Sequence, residues 1–436
     1  MKAAGWQTEN FRSARGFPGA IRAAAGAPAN QSKAGQISTY LLFLFILGWI
    51  TEEFSLFDIG RYSVPLLYLA ALPFCTRLSL ASATFLALPL VSTILSAILG
   101  ALDGVEKTHI LSQAALQLLA IGFAGGVASL DWPRHIVKLA KVMLAAAMPV
   151  VAYGGYQMVA RAAHMRFAYL PVTNQQEYAV GGLQRGWEKG EFTRASSFFV
   201  EPASFGYFCL WLLALGLSIE KGALRYWSLA LAFGGILFSQ SLSAVLGAAI
   251  LLLVYFVTHP IGLNVLRQLA IVLVVLGLAI AIVPPLMPEA FARFSDRITQ
   301  AVSLDERADS GRVDHLPAAW KIFAEAPVWG HGLSSLAASD DVGSDVTSVT
   351  YALLLMERGV VGTVLFLIPW IYILVKSWRM PRGDLSKTLA LLLSVLQLYI
   401  FWTSSVAYSL PFWLSLGITA SLALHTHLAP RRAART

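Results

Sequence analysis

Three stretches of the chain gather the side chains that carry group-transfer chemistry. The first, FTRASSFFVEPASFGYF (Phe192–Phe208), holds Arg194, Ser197, Glu201 and Ser204. Read as one helix from Arg194, these fall at i, i+3, i+7 and i+10 and make a single polar stripe. The second, SGRVDHLPAAWKIFAEAPVWGHG (Ser310–Gly332), packs Arg312, Asp314, His315, Lys321, Glu325 and His331 into a short space. In the third, Tyr178, Trp187 and Phe192 are interleaved with Gly181, Gly182, Gly186, Gly190 and Arg185. A planar guanidinium binds phosphate through paired, charge-assisted hydrogen bonds, so the arginines suit a multiply charged anion. Histidine titrates near neutral pH, so His315 or His331 can accept a proton. Aromatic faces over flexible backbone suit stacking on sugar rings.

Each of these has a plainer reading. Arg194 and Glu201 can be a structural pair pinning a helix end, although a carboxylate within an apolar run is costly unless it faces a cavity or a partner. His331, between two glycines, can simply be solvated, and the aromatic residues can be interfacial anchors. The uncharged polar turn Ser239–Ser243 offers Ser239 and Ser241 to sugar hydroxyls, and tight helix packing explains it equally well. Small-residue spacing in ERGVVG (Glu357–Gly362) reads as close helix contact. The acidic pairs Asp305/Glu306 and Asp340/Asp341 lack compact ligand spacing, so no metal site is expected.

The elements that must position these residues are membrane helices. With 57% hydrophobic and 13% charged residues, the chain is not a water-soluble domain. Apolar windows near the roughly 20 residues needed to span a bilayer recur along it, about twelve in all. They lie near 37–51, 62–76, 78–100, 110–130, 136–160, 198–219, 226–239, 241–257, 265–286, 348–375, 386–404 and 408–427. The second and seventh are short enough to be re-entrant or tilted. Pro202 is expected to kink the sixth. Cys75 and Cys209 sit in apolar runs and read as buried small hydrophobes. The fold class is therefore all-α: a polytopic integral membrane protein with one transmembrane domain over 36–428.

An even span count puts both termini on one side, and basic residues say which. Short loops after even-numbered spans carry Arg77, then Arg134, Lys138 and Lys141, then Lys221 and Arg225, then Arg267, then Lys376, Arg379, Arg382 and Lys387. Opposite loops carry Glu52, Glu53, Asp58, Asp103 and Glu106. The positive-inside rule puts both termini in the cytoplasm. Residues 1–35 then read as a flexible cytoplasmic tail, and 429–436 as a second short one. The net charge of +8 is thus a matter of membrane sidedness and does not call for a nucleic acid partner. Two long loops, 161–197 and 287–347, fall outside. The second contains an amphipathic pattern at Phe291, Phe294, Ile298 and Val302, then a second helix starting after Ser310 and stopping before Pro327. There Arg312 and His315 share a face.

In this order the pieces resemble the O-antigen polymerase and O-antigen ligase superfamily of bacterial inner-membrane enzymes. The matching segments are R-A-S-S-F-F-V-E-P-A-S-F (Arg194–Phe205), the turn at Ser239–Ser241 and S-G-R-x6-A-W (Ser310–Trp320), followed by P-x-x-G-x-G (Pro327–Gly332) and L-M-E-R-G-V-V-G (Leu355–Gly362). They cover roughly the C-terminal half. The resemblance implies a glycan transferase without metal or cofactor, acting on undecaprenyl diphosphate-linked oligosaccharide at the periplasmic face. It implies Arg194 and Arg312 as diphosphate contacts, with Glu201 near the acceptor or supporting them. Arg185, Trp187, Ser197, Ser239, Ser241 and His315 complete the substrate-binding set. Ligases of this superfamily place a histidine upstream of the G-x-x-G element, where this chain has Ser348 and Val349. That departure favours a polymerase of O-antigen or exopolysaccharide repeats over a ligase, and leaves the base open between His331 and Glu201. A chain-length regulator and a flippase are the implied protein partners.

Two other classes compete. One is a many-spanning lipid-dependent glycosyltransferase using Glu52 and Glu53 in the first outer loop. The other is a flippase for lipid-linked glycan, though no internal repeat is visible and the charges cluster outside the spans. Impermeant-thiol labelling of cysteines introduced singly into 161–197 and 287–347 should proceed from the periplasmic side; labelling only from the cytoplasm would reverse the topology.

Overall fold

The computed structural model describes residues 39–50, 55–59, 62–76, 79–162, 195–199, 201–259, 292, 299, 316–335, 350–381, 385–404 and 409–425. Helices dominate: α1 (Thr39–Ile50), α2 (Leu66–Cys75), α3 (Leu80–Leu102), α4 (Lys107–Ala128), α5 (Ile136–Ala162) and α6 (Pro202–Ser218). Then come α7 (Ala223–Ser239), α8 (Leu242–Thr258), α9 (Leu316–Glu325), α10 (Thr350–Arg379), α11 (Leu385–Thr403) and α12 (Leu410–His425). Among the described residues, strand is confined to an antiparallel hairpin of β1 (Ser55–Ile59) and β2 (Tyr62–Pro65).

The many-spanning helical architecture is as expected. Helices α3, α4, α5, α10 and α11 are long and apolar enough to cross a membrane, and α1, α2, α6, α7, α8 and α12 are shorter apolar helices. The figure of about twelve spans is not fixed by them. The expected span 265–286 lies outside the described residues, as do both tails and the amphipathic pattern at Phe291–Val302. The short second span begins four residues late, because Tyr62–Pro65 pairs as strand before α2 starts.

Two helices form the centre. A helix that is apolar all round must be covered on every face. α6 is buried continuously from Phe205 to Ser218, and α12 from Leu410 to Ala423. α7, α8 and α11 pack on α6, while α4 and α11 pack on α12. Outer helices carry apolar residues to the surface instead: Val91, Ile94, Ile98 and Leu102 on α3, and Val360, Val364, Ile371 and Val375 on α10. Such stripes are untenable in water but match hydrocarbon.

Glycines bring some helices to backbone contact. A Cβ on Gly126 of α4 would lie 1.8 Å from the Phe74 carbonyl of α2, whereas one on Gly122 would meet only Cys75 Sγ at 3.6 Å. Above them Phe45 stacks on Phe123 at 4.8 Å with Phe74 edge-on, joining α1, α2 and α4. Cys75 and Cys209 are free thiols; Cys209 is fully buried, as expected, whereas Cys75 is only partly so. Gly126→Ala should therefore cost about 1–3 kcal/mol by overpacking and lower the melting temperature in detergent; Gly122→Ala should leave it unchanged.

Candidate functional site

The polar stripe expected from Arg194 to Ser204 does not form. The helix begins at Pro202, with Glu201 extended at φ −117°, ψ 143° as its N-terminal flanking residue. Pro202 therefore occupies the first helical position, where its missing N–H is no loss, and it does not kink the span. Residues 195–199 run in non-helical backbone ahead of it, with Ser197 at φ +55°, a left-handed conformation that costs a non-glycine residue free energy. The polar groups of Ser197 bond within the protein. Its N–H donates to Gln157 Oε1 at 2.8 Å, its carbonyl accepts from Gln157 Nε2 at 3.2 Å, and its hydroxyl donates to the Val150 carbonyl at 2.6 Å. Glu201 is solvent-exposed rather than sunk in a span, at the helix end where negative charge is favoured. Its side chain makes no capping hydrogen bond.

Ser239 and Ser241 sit close by, because Ala195 N–H donates to the Phe238 carbonyl at 3.1 Å. Ser239–Ser241 is a turn between α7 and α8, as expected, closed by Gln240 in the left-handed region. Its hydroxyls serve that turn. Ser239 Oγ donates to Ile236 O at 2.8 Å, and Ser241 Oγ lies 2.8 Å from Ser243 Oγ and caps α8 by accepting from Ala244 N–H. Gly206 of α6 lets the turn approach; a Cβ there would be 2.5 Å from Ala244 Cβ. Ser197, Ser239 and Ser241 are therefore brought to one end of α6. Arg185, Trp187, Arg194, Arg312 and His315 lie outside the described residues.

His331 belongs to a second assembly, built where α10 is broken. Gly359 has φ +60°, ψ −169° inside that helix. In an intact helix Val360 and Val361 N–H would bond the carbonyls of Met356 and Glu357. Here Val360 N–H donates to Pro327 O at 2.9 Å and Val361 N–H to Val328 O at 3.1 Å. The freed carbonyls accept from the same segment: His331 N–H to Met356 O, and Gly332 N–H to Glu357 O, each at 2.9 Å. The Pro327–Gly332 motif is thus threaded into the helix's own hydrogen-bond ladder. Glycine is obligatory on both sides of the crossing. A Cβ on Gly359 would lie 2.4 Å from Val328 O, and one on Gly330, at φ +73°, 2.5 Å from Gly359 N. Beyond it Leu333, fully buried, donates its N–H to Ser96 O of α3 at 2.8 Å.

The two charged residues beside the break point different ways. Glu357, 3% exposed, accepts the Ser334 N–H on Oε1 at 3.0 Å, while Ser96 Oγ donates to its carbonyl at 3.1 Å. Arg358, 1% exposed, donates to Ser92 Oγ at 3.0 Å, Thr93 Oγ1 at 3.3 Å and Gln117 Oε1 at 3.3 Å, with its guanidinium carbon 5.3 Å from the Phe366 ring centroid. One residue holds the loop and the next holds α3 and α4. His331 Nε2 lies 2.9 Å from the Ile322 carbonyl of α9. A carbonyl only accepts, so Nε2 carries the proton and Nδ1 keeps the lone pair a base requires. The helix expected between Ser310 and Pro327 is present as α9, with Ala319 packed against Ala352, Leu353 and Met356 of α10. Trp320 is 64% exposed and tilts against Phe323.

Sequence reasoning missed Gln157, Glu357 and Arg358. The last two were legible as charges within an apolar run, which default to function. The small-residue spacing around them was right about close contact: Gly362 O accepts from Ser92 Oγ at 2.8 Å. It hid the break.

These features define a class: a polytopic membrane protein with an extended segment locked into a broken helix. Residues 227–367 match the Wzy_C family model, O-antigen ligase. The match runs from α7 through the break, taking in Ser239–Ser241, Pro327–Gly332 and Glu357–Gly362. This third of the chain is similar to the Wzy_C domain, a likeness consistent with the O-antigen polymerase and ligase superfamily. No curated protein matches the chain.

Gly359→Ala, which puts a side chain into a left-handed conformation against a carbonyl, should cost about 1–3 kcal/mol and lower the melting temperature in detergent. Gly104→Asn, at φ +81° with nothing within 4 Å, should lower it less, since only the backbone conformation opposes the side chain and asparagine tolerates that best.

Proposed function

We propose that the protein is a polysaccharide polymerase of the bacterial inner membrane. It transfers glycan en bloc from undecaprenyl diphosphate onto a lipid-linked repeat unit at the periplasmic face, with both termini in the cytoplasm. The observation that carries this reading is the turn locked into α10, which fixes His331 with Nδ1 as its proton acceptor. In the reaction the anomeric carbon–oxygen bond to the donor diphosphate breaks, and the acceptor hydroxyl oxygen forms the new bond to that carbon. The hydroxyl proton passes to His331 or Glu201, and undecaprenyl diphosphate leaves. Arg194 and Arg312 hold the diphosphate, whose negative charge grows as the bond breaks; preorganised cations stabilise it without a metal. Arg185, Trp187 and His315 line the glycan path.

Polymerase is preferred to ligase because Ser348 and Val349 stand where ligases carry a histidine. The ligase reading has its own support, since the matched model is described as O-antigen ligase. Purified protein in liposomes, given lipid-linked repeats alone, should extend them into a ladder. Product only when lipid A-core acceptor is added would make it a ligase, and no product with either would leave a transporter. In that assay Arg194→Ala and Arg312→Ala should each lower the rate about 10²–10³-fold, as for loss of one electrostatic donor. His331→Ala should lower it about 10²–10⁴-fold if His331 is the base; if Glu201→Gln alone did so, the base would be Glu201.

A further inference from the structure

A carboxylate in a membrane helix is retained for a reason, and the reaction scheme gives Glu357 none. We propose that Glu357 is a positioning residue, whose carboxylate holds the Ser334 N–H and thereby fixes the Gly330–Ser334 turn that presents His331. The turn is held at its start by backbone, through His331 N–H to Met356 O and Gly332 N–H to Glu357 O. Past Gly332 the chain turns away through Ser334 at φ +64°, a conformation that relaxes unless something restrains it. The restraints include the Glu357 carboxylate at 3.0 Å, a hydrogen bond from Ser334 Oγ to His109 O at 3.3 Å, Leu333 N–H on Ser96 O, and Ser335 Oγ on Gly332 O at 2.8 Å. Of these only Glu357 supplies a charged acceptor, and a hydrogen bond to a charged group is the stronger kind. Arg358 then anchors the same point of α10 to Ser92, Thr93 and Gln117, so the carboxylate pulls against a fixed base. The role in catalysis rests on His331 being the base, as read above; the anchoring does not.

The test uses the full chain in liposomes, in a Cys75→Ala, Cys209→Ala background carrying Ser335→Cys as a reporter beside the turn. Glu357→Ala should raise the rate of maleimide labelling at 335 at least tenfold and lower kcat at least tenfold, with KM within about twofold. Glu357→Gln, whose amide oxygen accepts the same N–H, should restore both. Should Glu357→Ala fail to fold, Glu357→Asp serves instead: one methylene short, it keeps the charge, cannot reach Ser334, and should behave as expected for alanine. Labelling or kcat unchanged in the variant that removes the contact would overturn the proposal, as would rescue by aspartate and not by glutamine. Activity surviving His331→Ala while labelling still responds to Glu357 would sink the base assignment and leave the anchor standing.

Discussion

Everything at the second assembly depends on one exchange of hydrogen bonds. A helix interior has no spare donors or acceptors, so an extended segment can pair with it only where the ladder is opened. Gly359 opens it by leaving helical φ/ψ, and Pro327–Gly332 fills the gap with four backbone bonds. Two intrahelical bonds give way to four bonds to the segment, so the two N–H and two carbonyl groups that they free are each paired again. Proline at 327 suits its place, since only its carbonyl is used. The result is a joint between Pro327–Gly332 and α10, made with main chain and therefore independent of side-chain rotamers.

The joint explains why adjacent opposite charges sit in an otherwise apolar helix. Burying a charge is unfavourable unless hydrogen bonds replace its water. The Glu357 carboxylate accepts the Ser334 N–H of the segment, and Arg358 finds three oxygen acceptors and an aromatic face in the bundle. Because successive residues on a helix project about 100° apart, one faces the loop while the other faces α3 and α4. Truncating either side chain would leave its partners unsatisfied in a low-dielectric setting, where that is costly.

How much of this was legible follows from the range of each interaction. Spans are local: runs such as 78–100, 136–160 and 386–404 announced α3, α5 and α11 by composition alone. The start of α6 was misplaced because proline is ambiguous. Within a span it kinks, at the first position it starts one, and only Gln157, some forty residues earlier in sequence, decides by capturing the backbone of Ser197. The same limit hid the threading of Pro327–Gly332 through α10. Both motifs were visible in the sequence, and ERGVVG correctly signalled close packing, but nothing local says that the glycines of one cross the glycine of the other. The hydroxyls of Ser239 and Ser241 were visible too, and their engagement in capping was the plainer alternative.

Depth is the last consequence of the break. From Val360 to Arg379, α10 has 20 of its 30 residues, about 30 Å at 1.5 Å per residue, which matches the hydrocarbon thickness of a bilayer. The nine residues before Gly359 therefore project past the hydrocarbon, where α9 packs on Ala352, Leu353 and Met356. The break therefore falls near one end of the stretch that is long enough to cross hydrocarbon. Threading Pro327–Gly332 through the helix there fixes the height of the turn in the backbone, where a free loop would sample many positions at an entropic cost.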